Sequence, residues 1–123
     1  MDFATYATEA AKTAVYPRVR ILLGDTTDIH DAVDAPWLYP LLGAVGEFGE
    51  LCNQAKKIIR DDNGRLTPTR IASMRKEIGD GLWYVPELAR AIGATLKDIA
   101  VENLSKLADR AARGALKGSG DLR

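Results

Sequence analysis

Apolar residues recur at helical spacing in four blocks along the chain, and turn chemistry separates the blocks. In the first block Asp2 is placed to cap a helix carrying Phe3, Tyr6, Ala7, Ala10, Ala11 and Ala14 on one face, with Pro17 marking its end. From Pro17 to about Ala35 the signals are mixed: Val19, Ile21, Leu22 and Leu23 are apolar, but Gly24-Asp25-Thr26-Thr27-Asp28 favours turns. This stretch reads as a long connection with a short helical turn and no strand.

A second helix is expected to start between Pro36 and Pro40 and to run to about Arg60, where Asp61-Asp62-Asn63-Gly64 breaks it. Its apolar stripe is Leu41, Ala44, Val45, Phe48, Leu51, Cys52, Ala55, Ile58 and Ile59. Thr67 followed by Pro68 forms a cap and first residue for a third helix with Ile71, Met74, Ile78, Leu82, Val85, Leu88, Ala89 and Ile92 inward, stopped by Gly93. Pro86 lies within that helix and predicts a kink rather than an end, because the stripe continues in phase. Thr95 and Asp98 have capping-box spacing and open a fourth helix that Gly114 closes. The tail from Lys117 to Arg123 has little to bury and is expected to be extended. The fold class is therefore all-α: a single four-helix-bundle-like domain over residues 1–123.

Composition narrows the function classes. With 17 basic and 17 acidic residues the chain lacks the positive excess that drives nucleic-acid binding. It has no signal-peptide pattern and no run of about 18 apolar residues, so neither secretion nor a membrane partner is expected, and the location is read as cytoplasmic. A domain of this length leaves much surface exposed, which favours association with copies of itself. Cys52 is the only cysteine and is read as an inert residue on the buried stripe; His30, the only histidine, is read as a surface loop residue.

Candidate chemistry sits in a short internal echo. Glu47-Phe48-Gly49-Glu50 on helix two and Glu77-Ile78-Gly79-Asp80 on helix three both read acid, apolar, glycine, acid. Residues three apart lie about 60° apart around a helix, so each pair projects two carboxylates from one face. With Phe48 and Ile78 as centres of the buried stripes, both pairs lie on the same border, and antiparallel packing would bring all four acids together. Gly49 and Gly79 are expected to permit close helix approach or ligand access. Clustered carboxylates without histidine or cysteine select a hard cation, Mg²⁺ with Mn²⁺ as a substitute, and such a site points to phosphoryl chemistry.

Asn103, Lys106, Arg110 and Arg113 recur as a polar stripe on helix four and are candidate donors to phosphate oxygens. Lys57, at the end of helix two, is a further candidate, although a lysine there is also ordinary surface charge. Trp83 adjoins the second acid pair, as a base-stacking candidate or as a core or interface residue.

Residues Leu42 to Leu51, Lys76 to Tyr84 and Asn103 to Leu107, taken together, resemble the MazG-like family of all-α nucleoside triphosphate pyrophosphohydrolases. The family's hallmark is Glu-x-x-Glu, a spacer, then Glu-x-x-Asp; here 26 residues separate Glu50 from Glu77. The resemblance runs from about Leu41 to the C-terminus, including Gly118 to Asp121. It implies that Glu47, Glu50, Glu77 and Asp80 bind Mg²⁺ and carry catalysis, and that Asn103 and Lys106 hold substrate phosphates, with Arg110 and Arg113 as lesser donors. The implied reaction is hydrolysis of a nucleoside triphosphate to the monophosphate and pyrophosphate, by attack of water activated at the metal on the α-phosphorus, in a homodimer or homotetramer whose subunits complete one another's sites. Two alternatives remain: a related hydrolase of another nucleotide (dCTP, dUTP or phosphoribosyl-ATP), and a non-catalytic helical oligomerisation module.

Overall fold

The computed structural model describes residues 1–114; the expected tail and the Gly118 to Asp121 part of the resemblance lie outside them. Four helices dominate: α1 (Phe3–Ala11), α2 (Leu38–Asp61), α3 (Pro68–Ala91) and α4 (Leu96–Ala112). The all-α class is as expected.

Local chemistry sets the helix ends. The Asp2 carboxylate accepts from the Thr5 amide at 2.8 Å, and the Thr67 hydroxyl accepts from the Arg70 amide at 3.2 Å. Thr95 and Asp98 form the full capping box, each side chain reaching the other's backbone N–H. At the end of α2, Asn63 and Gly64 take positive φ (52° and 74°), and the Gly64 amide returns to the Ile58 carbonyl at 2.9 Å. This is where the acidic turn was expected to stop the helix. α3 runs through the buried Pro86 without a break. α1 is shorter than expected and gives way to turns after Ala11.

The connection after α1 is more ordered than its turn residues suggest. β1 (Arg20–Ile21) pairs antiparallel with β2 (Val33–Asp34), and a 3-10 turn at Ile29–Asp31 joins them, with the Asp28 carboxylate accepting from the His30 amide at 2.9 Å. Arg18 pairs with Asp34, and Arg20 donates to the Ala32 carbonyl at 2.6 Å. The small ladder closes over Ala32 and Ala35, both buried.

α2 and α3 form an antiparallel hairpin: Gly43 faces Tyr84, Gly81 faces Phe48 and Glu47, and Gln54 reaches Arg70 and Glu77. α3 also meets α1 and α4, and α1 meets α4, but among the helices α2 touches only α3. The four helices form one all-α domain in which α3 is the helix that the other three share. Apart from Gly81 and the prolines Pro40 and Pro86, the buried apolar residues are alanines (Ala10, Ala32, Ala35, Ala44 and Ala89), whereas Leu42, Val45, Ile59, Val101 and Leu104 are all more than half exposed.

The stripe assignment changes accordingly. Phe48 and Ile78, expected at the centre of the buried faces, are about half exposed, and Cys52, expected to be buried, is exposed. Periodicity identifies the apolar face of a helix but not what covers it. Within one chain, the α2–α3 seam holds Glu47, Gln54 and Glu77 beside the Gly43–Tyr84 and Gly81–Phe48 contacts, and much of the apolar stripe looks outward.

Candidate metal centre

The seam brings three of the four motif acids together. Glu47, Glu77 and Asp80 each offer a carboxylate oxygen within 4.8 Å of the others. Glu50 is exposed and lies outside this group; its carboxylate accepts from Asn53 at 3.4 Å. The expectation that all four converge is corrected on this point. An i,i+3 step turns Glu50 about 60° away from Glu47, and here Glu47 is the member that faces α3.

Glu47 and Glu77 are partly buried and Asp80 is exposed, so the cluster opens to solvent on one side. Burial, and then the charges of Asp80, Glu77 and Glu50, push the Glu47 carboxyl above its ordinary value. Among the described residues no lysine or arginine forms an ion pair with these three acids. A hard divalent cation is the counter-charge that such an oxygen-only set suits.

A polar relay holds the cluster from behind. Asp62 accepts from Arg70 at 2.6 Å, Arg70 donates to the Gln54 carbonyl at 3.3 Å, and the Gln54 amide donates to Glu77 at 3.2 Å. Gln54 is buried, so its two hydrogen bonds fix which oxygen of Glu77 faces the other acids. Sequence reasoning missed Gln54 and Arg70. The available signal was that Gln54 stands seven residues, two helical turns, beyond Glu47 on the same face.

Two tyrosines flank the acids. Burial and the Asp80 charge raise the Tyr6 phenol, while burial, Tyr39, Glu47 and Asp80 raise that of Tyr84. Tyr84 lies across α2 at Gly43, where an added Cβ would stand 2.3 Å from its ring. At Gly49 and Gly79, by contrast, a Cβ would meet nothing within 4 Å. The close approach expected at those two glycines occurs at Gly43 and, less tightly, at Gly81.

The other candidates lie apart. α4 does not touch α2, and Asn103 and Lys106 line a hollow formed by α4 residues alone, with Leu96, Ile99, Ala100 and Glu102. Arg110, on the same expected stripe, is buried, and Arg113 pairs with Asp109 at 2.7 Å. Within one chain, then, Asn103 and Lys106 face away from the packed side of α4 rather than joining the acids. Lys57 is partly buried near Asp61 and makes no ion pair with the cluster. Trp83 is committed to structure: its indole N–H donates to Thr13 at 2.8 Å, and its ring makes edge contacts with Tyr16 and Tyr84.

No helix among the described residues is long and apolar enough to cross a membrane. No family model matches the chain, and no solved structure matches it. The chain is 38% identical over 123 residues to the Gene 37 protein of Mycobacterium phage L5, and the match spans all of both chains. It belongs to the family of that phage protein.

Proposed function

We propose that this protein is a Mg²⁺-dependent nucleoside triphosphate pyrophosphohydrolase of MazG-like type, acting in the cytoplasm. The observation that carries the reading is the convergence of Glu47, Glu77 and Asp80 across the α2–α3 seam, with no ion pair to them from a basic side chain among the described residues. Bound there, Mg²⁺ would neutralise phosphate charge and polarise the phosphorus for attack. The chain's own residues then have distinct tasks. Glu47, Glu77 and Asp80 hold the cation and Gln54 orients Glu77. Glu50, exposed one turn beyond Glu47, would be a candidate to accept a proton from the attacking water.

The phosphate donors are supplied in an oligomer. Asn103 and Lys106 line a hollow remote from the acids of their own chain, and the apolar faces of α2 and α4 carry Leu42, Val45, Val101 and Leu104 in solvent. Association of copies through these faces would cover the apolar surface and present α4 donors to a neighbouring acid cluster.

The test is release of pyrophosphate from a panel of ribo- and deoxynucleoside triphosphates with and without Mg²⁺. Metal-dependent release, abolished in Glu77→Gln, is expected. A folded protein that releases nothing from any nucleotide would instead favour a helical assembly module.

A further inference from the structure

Tyr84 joins the acid cluster to a second feature of the fold. It stands four residues beyond Asp80 on α3, about 6 Å along the axis and on the same side of the helix. Its ring lies against Gly43, which stands the same one turn before Glu47 on α2. The phenol therefore crosses the seam one turn from the acids on both helices. Tyr84 also lines a hollow of about 300 Å³, whose wall is made of Tyr16, Tyr39, Trp83 and Tyr84 with uncharged residues of the connection after α1.

The rings of this wall are held by one another and by their polar ends. The Trp83 indole N–H donates to Thr13 at 2.8 Å, and the Tyr16 hydroxyl donates to the buried Glu87 at 3.2 Å. Tyr39 stacks on Tyr16 with ring centroids 5.0 Å apart, and Trp83 meets Tyr16 and Tyr84 edge-on at 6.2 and 4.8 Å. Side chains held in this way have little freedom left to lose when a ligand arrives. Two polar ends differ from the rest. Among the described residues neither the Tyr39 nor the Tyr84 hydroxyl has a hydrogen-bond partner, although Tyr84 is only partly exposed. No charged side chain lines the hollow.

We infer that this hollow seats the base of the nucleotide whose phosphates meet the metal centre, with the Tyr39 and Tyr84 hydroxyls as its polar contacts. The inference rests on the reading of the acids as the phosphate end. One turn of α3 separates Asp80 from Tyr84, which is about the span of the sugar between phosphate and base. A wall of aromatic rings without charge suits a neutral planar group and gives an anion nothing to pair with. A phenol hydroxyl both donates and accepts, so the two contacts serve the amino and keto edges of bases alike. Contact with ring faces is likewise open to every base. The hollow therefore recognises a base as such and discriminates only weakly between bases.

The test uses neutral probes, so that neither phosphate nor metal contributes. Deoxyadenosine, deoxycytidine and deoxyribose are titrated against the full chain carrying Trp37→Phe, in which Trp83 is the remaining indole. We expect a saturable change of Trp83 fluorescence with both nucleosides, affinities within about threefold of each other, and no response to deoxyribose. Tyr39 is 37% exposed, and Tyr39→Ala should weaken both nucleosides at least about fivefold. Tyr84→Phe keeps the ring against Gly43 and removes only the hydroxyl; it should weaken them about threefold, and it is the arm that stands should Tyr39→Ala fail to fold. A flat titration, an equal response to deoxyribose, nucleoside affinities further apart than about threefold, or an unaltered affinity in either folded variant would each overturn the assignment. Pyrophosphate release that fails while the nucleosides still bind would remove the pyrophosphohydrolase reading and leave the hollow standing.

Discussion

The side-chain amide of Gln54 on α2 donates to Glu77 on α3 at 3.2 Å, so one buried neutral residue sets the orientation of one acid of the cluster. Its own carbonyl is held by Arg70, which removes the freedom of the amide to flip. Gln54→Leu keeps the volume and loses both bonds. Mg²⁺ or Mn²⁺ affinity, measured by calorimetry, should fall by about 10- to 100-fold. A matching loss in Arg70→Met, with helical content unchanged, would trace the effect to the relay rather than to unfolding.

Crowding of the acids predicts a definite pH response. Glu47 has its carboxyl raised in the folded protein, by burial first and by Asp80, Glu77 and Glu50 after that. A raised carboxyl binds its proton more tightly folded than unfolded, so its contribution is full below the ordinary value of 4.5 and is lost as pH rises through the folded value. Without metal, Tm should therefore decline on the alkaline side of that window. With Mg²⁺ present the decline should vanish or reverse, because the cation binds the ionised form, and Glu47→Gln should flatten both curves. Thermal melts from about pH 4 to neutrality, with and without Mg²⁺, measure this directly.

Gly43 is required by Tyr84. An alanine there would put its Cβ 2.3 Å from the phenol ring, so the ring or α2 must move. Gly43→Ala should cost about 1–3 kcal/mol in denaturant unfolding. The double variant Gly43→Ala/Tyr84→Ala should lose less than the two single losses added together, since the second change removes the object of the clash. Gly49→Ala, where a Cβ meets nothing, should instead be neutral or mildly stabilising.

The outward apolar faces predict self-association. Val45 is 61% and Leu104 is 66% exposed on helices that do not touch each other within a chain. Sedimentation should show an oligomer for the wild type, and Val45→Glu or Leu104→Glu should shift it toward monomer. Because α4 donors are expected to act on a neighbouring chain's acids, the same variants should lose pyrophosphate release while keeping Mn²⁺ affinity.

Much of this was legible in the residues, and the rest was not for identifiable reasons. Thr67-Pro68 and Thr95-x-x-Asp98 act within one turn of chain, so their helix starts could be read directly and are where expected. The acid pairs could be read as far as facing elements, but which member turns inward depends on how α2 rotates against α3, and Glu50 fell outside. The pairing of Arg20–Ile21 with Val33–Asp34 rests on contacts a dozen residues apart in a stretch with no alternating pattern. Phe48, Ile78 and Cys52 show the limit most plainly, because their apolar stripe is real while packing among the described residues leaves about half of Phe48 and Ile78, and Cys52, in solvent.

The hairpin of α2 and α3 has a consequence for the order of assembly. All three clustered acids, together with Gln54 and Arg70, lie on two successive helices of 24 residues each, and Asp62 caps the first of them. The contacts among these residues are made within one helix–turn–helix segment, and closing the short turn between its helices costs little chain entropy. The half of the protein that carries the acid cluster is a locally encoded unit that can zip up early, whereas the cavity beside Tyr16 must wait for that distant segment to dock.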